Sequence, residues 1–243
     1  MKHRDRIIAY FDNIPVGYVV SANEIYEKHF LKMSQNAFFK ALERLAKDGY
    51  LTRISKGMYA RKDKSQEIQE QQNGEEQNQK QQNGEEQNSI MNYYFGENND
   101  NGMYIGYRLY QKYSITNAKS DQIELYSNAI TRQTSNVGNI HVKRVNLELN
   151  FENTRIIEAL EILQNYDKIE DLNKLKFARY ARAFARGYND EAAVHVISHM
   201  KYKKNTIAFM RKILDMYKVK NSLSQFLSYA SRYKVPPVQR VAR

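Results

Sequence analysis

Apolar residues in the first sixty positions follow two successive periods. Ile7, Ile8, Phe11 and Ile14 fall at i, i+1, i+4 and i+7, one face of a helix that Pro15 and Gly17 end. Val19-Val20 is a short strand candidate, and Ser21 with Glu24 three residues later forms a capping-box pattern opening a second short helix through Ile25 and Tyr26. Ser34 is a good N-cap for a third helix, whose stripe is Phe38, Ala41, Leu42 and Leu45 and whose stop is Asp48-Gly49. The period then shortens to two. Tyr50-Leu51-Thr52-Arg53-Ile54-Ser55 and Met58-Tyr59-Ala60 flank Lys56-Gly57, a strand, turn and strand in which the glycine supplies positive φ. Phe39 lies just off the helical stripe, as core edge or as an exposed aromatic.

From Tyr93 onward the pattern is that of a mixed domain. Tyr104-Ile105-Gly106 predicts a short strand, with Tyr107, Leu109, Tyr110 and Tyr113 on a following helix. Residues 123–126 and 140–149 have strand character, and the step between Val142 and Val145 in the alternation suggests a bulge. After Asn153 the period is helical: Ile156, Ile157, Leu160 and Leu163 form one stripe, Phe177, Tyr180, Ala181 and Phe184 a second, Ile207, Met210, Leu214 and Tyr217 a third. Pro236-Pro237 is expected to close the last helix and leave a loose tail. A small β layer followed by several helices makes the fold class α+β.

Between the two patterned stretches, Gln71-Gln72-Asn73-Gly74-Glu75-Glu76-Gln77-Asn78 recurs letter for letter as residues 81 to 88. A ten-residue period of Gln, Asn, Glu and Gly has no apolar face to stack, so it cannot offset the entropy of ordering and reads as low-complexity linker. The predicted organisation is therefore residues 1–64 as one domain, 65–91 as a disordered acidic linker and 92–243 as the α+β domain. Charge follows the same division: +6 over residues 1–64, −5 over 65–92 and +10 over 93–243, for a net +11. Two basic domains favour polyanionic partners. No membrane span or signal-peptide core is present, which implies a cytoplasmic protein without a membrane partner. The 243 residues include no cysteine, which removes disulfides, Cys zinc sites, iron–sulfur clusters and thiol nucleophiles.

Helix, strand, two helices and a hairpin is the order of a winged helix-turn-helix, in which the third helix enters the major groove and the hairpin lies along the backbone or minor groove. With the apolar stripe inward, Gln35, Asn36, Lys40, Glu43, Arg44 and Lys47 face out beside the cap Ser34. Gln and Asn read adenine edges bidentately, Arg reads guanine, and Lys suits phosphate. Arg53, Lys56, Arg61 and Lys62 would supply the hairpin's phosphate contacts.

The run from Phe38 to Tyr59, with Ala41-Leu42, Arg44-Leu45, Gly49, Leu51, Arg53-Ile54, Lys56-Gly57 and Tyr59, resembles the end of the winged-helix domain of AbiEi-type antitoxins. These belong to abortive-infection, type IV toxin–antitoxin systems and have relatives described as transcriptional regulators. The resemblance covers about a quarter of the chain well; Gly106 to Tyr110, with Tyr107 and Arg108, is similar to the second domain's Gly-Tyr-x-Leu-Tyr segment. It implies an operator-binding autorepressor of double-stranded DNA whose C-terminal domain counters a nucleotidyltransferase-like toxin, with pairing on DNA left open. The alternatives are a transcriptional regulator whose second domain senses a ligand or oligomerises, and an RNA-binding protein.

Lys176, Arg179, Arg182 and Arg186, at i, i+3, i+6 and i+10, form a second basic face, joined further on by Lys201, Lys203, Lys204, Arg211 and Lys212. It is open to a nucleic acid, to an acidic partner, or simply to solvent as snorkelling side chains around a core. Glu191, His195 and His199 share one predicted helix face, but Val196 stands where a zincin carries its Glu and no further ligand is identifiable. No phosphate loop, nucleophile elbow or Asp-x-Asp constellation occurs. Ser, Lys and carboxylates are plentiful, yet no spacing selects a set. The expectation is a non-enzyme with no catalytic residue, metal or cofactor.

Overall fold

A computed structural model describes residues 3–62, 87–96 and 98–240, so most of the repeated segment lies outside the described residues. The chain divides into two units, Met1–Asn99 with Ala129–Thr131, and Asp100–Asn128 with Arg132–Arg243.

In the first unit α1 (His3–Asp12) is followed by β1 (Val19–Ser21) and α2 (Ala22–Ile25), which runs into a π turn at Tyr26–Phe30; then come α3 (Gln35–Lys47), β2 (Leu51–Ser55) and β3 (Met58–Arg61). The strands form an antiparallel sheet in the order β1-β3-β2, with Tyr59 between Val20 and Arg53. The predicted stripes meet in one core, where Ile7 and Phe11 of α1 and Phe38, Leu42 and Leu45 of α3 are wholly buried. Phe38 packs against Phe30 at 5.0 Å and Tyr26 at 5.3 Å, and Phe39 lies half-buried beside both Tyr26 and Phe38, so it is core edge.

Both ends of α3 are built as the sequence requires. Ser34 Oγ accepts from the Ala37 amide at 3.3 Å. At the other end Gly49, at φ +72°, lets Tyr50 N–H reach Leu45 O at 2.9 Å and its own N–H reach Ala46 O at 3.1 Å, closing a Schellman motif. The capping box of α2 is half formed. Ser21 Oγ accepts from Glu24 N–H at 3.4 Å, but both Glu24 carboxylate oxygens take the Thr131 amide instead, each at 2.8 Å.

A fourth helix, α4, covers residues 87–95 and also belongs to this unit. Ile90 and Tyr94 are buried, and Tyr93 forms a side-chain hydrogen bond with Ser21; burial, followed by the charge of Glu24, pushes its phenol up. Residues 87–91, read from sequence as linker, are thus helical, and the second unit begins at Asp100 where the sequence reading began it at 92.

The second unit carries β4 (Gly102–Ile105), β5 (Ile123–Ser127), β6 (Thr134–Val137) and β7 (Ile140–Arg144) in the order β4-β5-β7-β6, with the central β5 and β7 parallel and the outer pairs antiparallel. Its helices are α5 (Gly106–Lys112), α6 (Phe151–Asn165), α7 (Lys174–Arg186), α8 (Asp190–His199) and α9 (Lys204–Met216). α6 is central, packing against α5, α8 and α9. The chain is α+β.

Three local expectations change. The strand expected over 140–149 stops at Arg144, although Val145, Leu147 and Leu149 stay buried; their alternation belongs to the connector into α6, and β7 pairs without a bulge. Thr-Ser-Asn-Val at 134–137 is a strand that polar composition hid. Beyond α9 the only element among the described residues is a 3₁₀ turn, Leu223–Phe226, so Pro236-Pro237 close no helix; Lys212 Nζ donates to Pro236 O at 3.3 Å, and Val235 and Val238 pack on the core. Among the described residues no helix is long and apolar enough to cross a membrane.

Candidate nucleic-acid interface

Burial of Phe38, Leu42 and Leu45 fixes what α3 turns outward. Asn36, Lys40, Glu43 and Lys47 fall at i, i+4, i+7 and i+11 on the opposite side, and all four are exposed, as are Gln35 and Arg44. Ser34 is exposed too, but its hydroxyl is committed to the helix cap. Among the described residues, none of Lys40, Arg44, Lys47, Arg53 and Lys56 has a carboxylate within ion-pair distance. Five cations without an ion-pair partner among the described residues therefore lie on one helix and the adjoining hairpin.

Arg61 differs. Its guanidinium donates to the Asp12 carbonyl at 3.1 Å and lies 3.9 Å from the Asp12 carboxylate, while Tyr50 Oη donates to that carboxylate at 2.6 Å. Burial first, then the bond to Asp12, pushes the Tyr50 phenol up to about 12. The C-terminal end of α1 is thereby tied to β2 and β3, and Arg61 belongs to that tie.

Between the C-terminal half of α3 and β2 opens a cleft of about 730 Å³ lined by Glu43, Ala46, Lys47, Gly49, Leu51, Thr52, Arg53 and Lys62. Its cations come from α3, from β2 and from the stretch just after β3. Sequence reasoning had named these residues without the cleft, because its walls are assembled by the antiparallel return of the hairpin.

The second basic face lies on α7. Lys176, Arg179 and Arg186 are exposed and Arg182 is half-buried, opposite the buried Phe177, Ala181 and Phe184. The helix holds five cations in 13 residues and no carboxylate. Like charges at i, i+3 and i+4 destabilise a helix by roughly 0.2–0.5 kcal/mol per pair. Arg155 of α6 donates to Ala183 O at 3.4 Å and lies against Gly187, adding a further cation at the helix's negative end.

The second unit also buries two carboxylates that no sequence signal marked. Glu158 accepts from Lys112 Nζ at 2.6 Å and from Tyr113 Oη; Glu161 accepts from Tyr126 Oη at 2.9 Å and bonds Tyr202. Burial pushes the Glu161 carboxyl up, against the opposing pull of its tyrosine donors and Lys143. These are polar ties between α6 and its neighbours, satisfied within the core. On α8 the His195 and His199 rings lie 4.4 Å apart, with His199 Nδ1 bonded to His195 O at 2.8 Å. Among the described residues no three His, Asp or Glu side chains are grouped to hold a metal ion.

No family model and no curated protein matches the chain. Among solved structures it aligns with the RV2827C protein from Mycobacterium tuberculosis at 12% identity and TM-score 0.37, over 96% of this chain and 83% of that one.

Proposed function

We propose that the first unit is a winged helix-turn-helix that binds double-stranded DNA, with α3 in the major groove and the β2–β3 hairpin as its wing. The observation that carries this reading is the outward face of α3: an exposed row of Gln35, Asn36, Lys40, Arg44 and Lys47, capped at the N-terminal end and continued by Arg53 and Lys56. Side chains of these types read base edges and neutralise phosphates. Arg61 is left out of the contact set, since Asp12 already holds it. The resemblance of residues 38–59 to AbiEi-type antitoxins extends the proposal: the chain represses its own operon, and its second domain counters a nucleotidyltransferase-like toxin. That half stands on the resemblance alone.

Substitution tests the DNA half. Lys40→Ala and Arg44→Ala are both at exposed positions, so thermal unfolding should stay within about 0.5 kcal/mol of the parent. Binding to DNA from upstream of the gene should fall, by about 1–3 kcal/mol for Arg44 if it reads a guanine, and with a salt slope shallower by about one for Lys40. Parental binding by both variants would remove α3 from the interface.

A second reading, nucleic-acid or acidic-partner binding by α7, is favoured by the absence of any carboxylate among its five cations. It is compatible with the first, and a salt titration against upstream and scrambled duplexes separates them.

A further inference from the structure

We infer that Glu43 selects a base: its carboxylate accepts a hydrogen bond from an exocyclic amino group in the major groove, that of cytosine. The inference rests on the DNA-binding reading of α3. One position on the outward row runs against a simple polyanion contact. Asn36, Lys40 and Lys47 suit a nucleic acid, and Glu43, exposed between the two lysines, carries a full negative charge into the same surface. The same side chain lines the cleft with Lys47, Arg53 and Lys62.

The ordinary role for such a residue is a helix-stabilising pair. Glu43 and Lys47 stand at i and i+4 in the favourable order, with the glutamate nearer the N-terminus. Yet no ion pair joins Glu43 to Lys47, to Lys40 or to Arg53 within 4.0 Å. Among the described residues the carboxylate is therefore available to a ligand, and so are Lys40, Lys47 and Arg53.

Docking α3 into a groove strips water from that carboxylate and brings it between two phosphate strands. Both effects oppose binding unless a donor meets it. Major-groove donors are the amino groups of cytosine and adenine; guanine and thymine present acceptors at the corresponding edge. Adenine places its N7 acceptor next to the amino group, where it would face the second carboxylate oxygen. Cytosine does not. A glutamate here thus penalises every base pair but one orientation of C·G, and the surrounding cations, indifferent to sequence, hold the backbone while it does so.

The test is selection from a library of random-sequence duplexes by the full chain, carried out in parallel with Glu43→Gln and Glu43→Ala and followed by sequencing of the bound fraction. The parent should enrich a motif containing one invariant C·G pair. Glu43→Ala should lose discrimination at that pair by roughly tenfold or more while keeping the rest of the motif, and Glu43→Gln should shift it toward A·T, since a glutamine amide matches adenine's donor and acceptor. A motif unchanged in both variants, even with tighter binding overall, would overturn the inference and reduce Glu43 to general repulsion of DNA. If the parent itself enriches nothing, the DNA-binding reading fails, and the base-selecting role with it.

Discussion

Lys40 and Arg61 carry the same charge on the same small unit, and of the two only Arg61 is held, among the described residues, by a carboxylate-bearing residue, Asp12. Lys40 projects from the outward side of a helix whose other side is core, so its fate was legible from the spacing of Phe38, Leu42 and Leu45 alone. Arg61 ends a strand, and its partner Asp12 lies 49 residues away in sequence, a separation at which no local pattern speaks. The same holds for Glu161. Its apolar neighbours Leu160 and Leu163 predict a helix, but nothing in them shows that Tyr126 and Tyr202 will meet its carboxylate inside the core. That burial has a consequence for pH. The folded carboxyl keeps its proton to higher pH than in the unfolded chain, because desolvation outweighs its donors. Its contribution to stability is therefore fully present below the ordinary glutamate range and is lost as pH rises through the elevated folded value. Lowering pH from neutrality into the ordinary glutamate range should raise the melting temperature of the parent relative to Glu161→Gln. Parallel profiles for the two proteins would contradict the assignment.

Elements were legible where period and end signals agreed. α3 has a stripe at helical spacing, Ser34 in front and Gly49 behind, and the structure forms the cap and the Schellman closure at those residues. The hairpin followed from the change of period and from Gly57 at φ +82°. β6 was not legible, because Thr-Ser-Asn-Val on a sheet edge has neither alternation nor apolar mass and exists by pairing with β7. In α2 the local signal was half right, since Thr131 took the carboxylate that a capping box would turn back on its own helix. The ends of α3 can be tested directly. Ser34→Ala removes one capped amide and should cost about 1 kcal/mol. Gly49→Ala meets no atom within 4 Å, so its cost is conformational, about 1–2 kcal/mol for a Cβ at positive φ. Both losses read out as a lower midpoint of denaturant unfolding; DNA affinity should fall with them only as far as α3 itself loosens.

Over the whole chain, charge is divided by segment: +6 over residues 1–64, −5 over 65–92 and +10 over 93–243. That division and the α+β class followed from composition and period. The extent of the first unit did not, since α4 and Ala129–Thr131 join it through long-range contacts such as Thr131 with Glu24. Two basic surfaces also leave two ways to bind a polyanion: α3 with exposed amides beside its cations, or α7 with cations alone. Salt separates them, because phosphate contacts weaken steeply with ionic strength while base contacts do not release counterions. The decisive measurement is titration of the full chain with a duplex from upstream of its own gene and with a scrambled duplex of equal composition, at about 50 mM and about 200 mM salt. A chain that reads DNA through α3 should hold the upstream duplex at the higher salt and release the scrambled one. Equal, salt-labile binding to both would contradict sequence-specific recognition and leave only a basic protein, with α7 the better candidate for its contact.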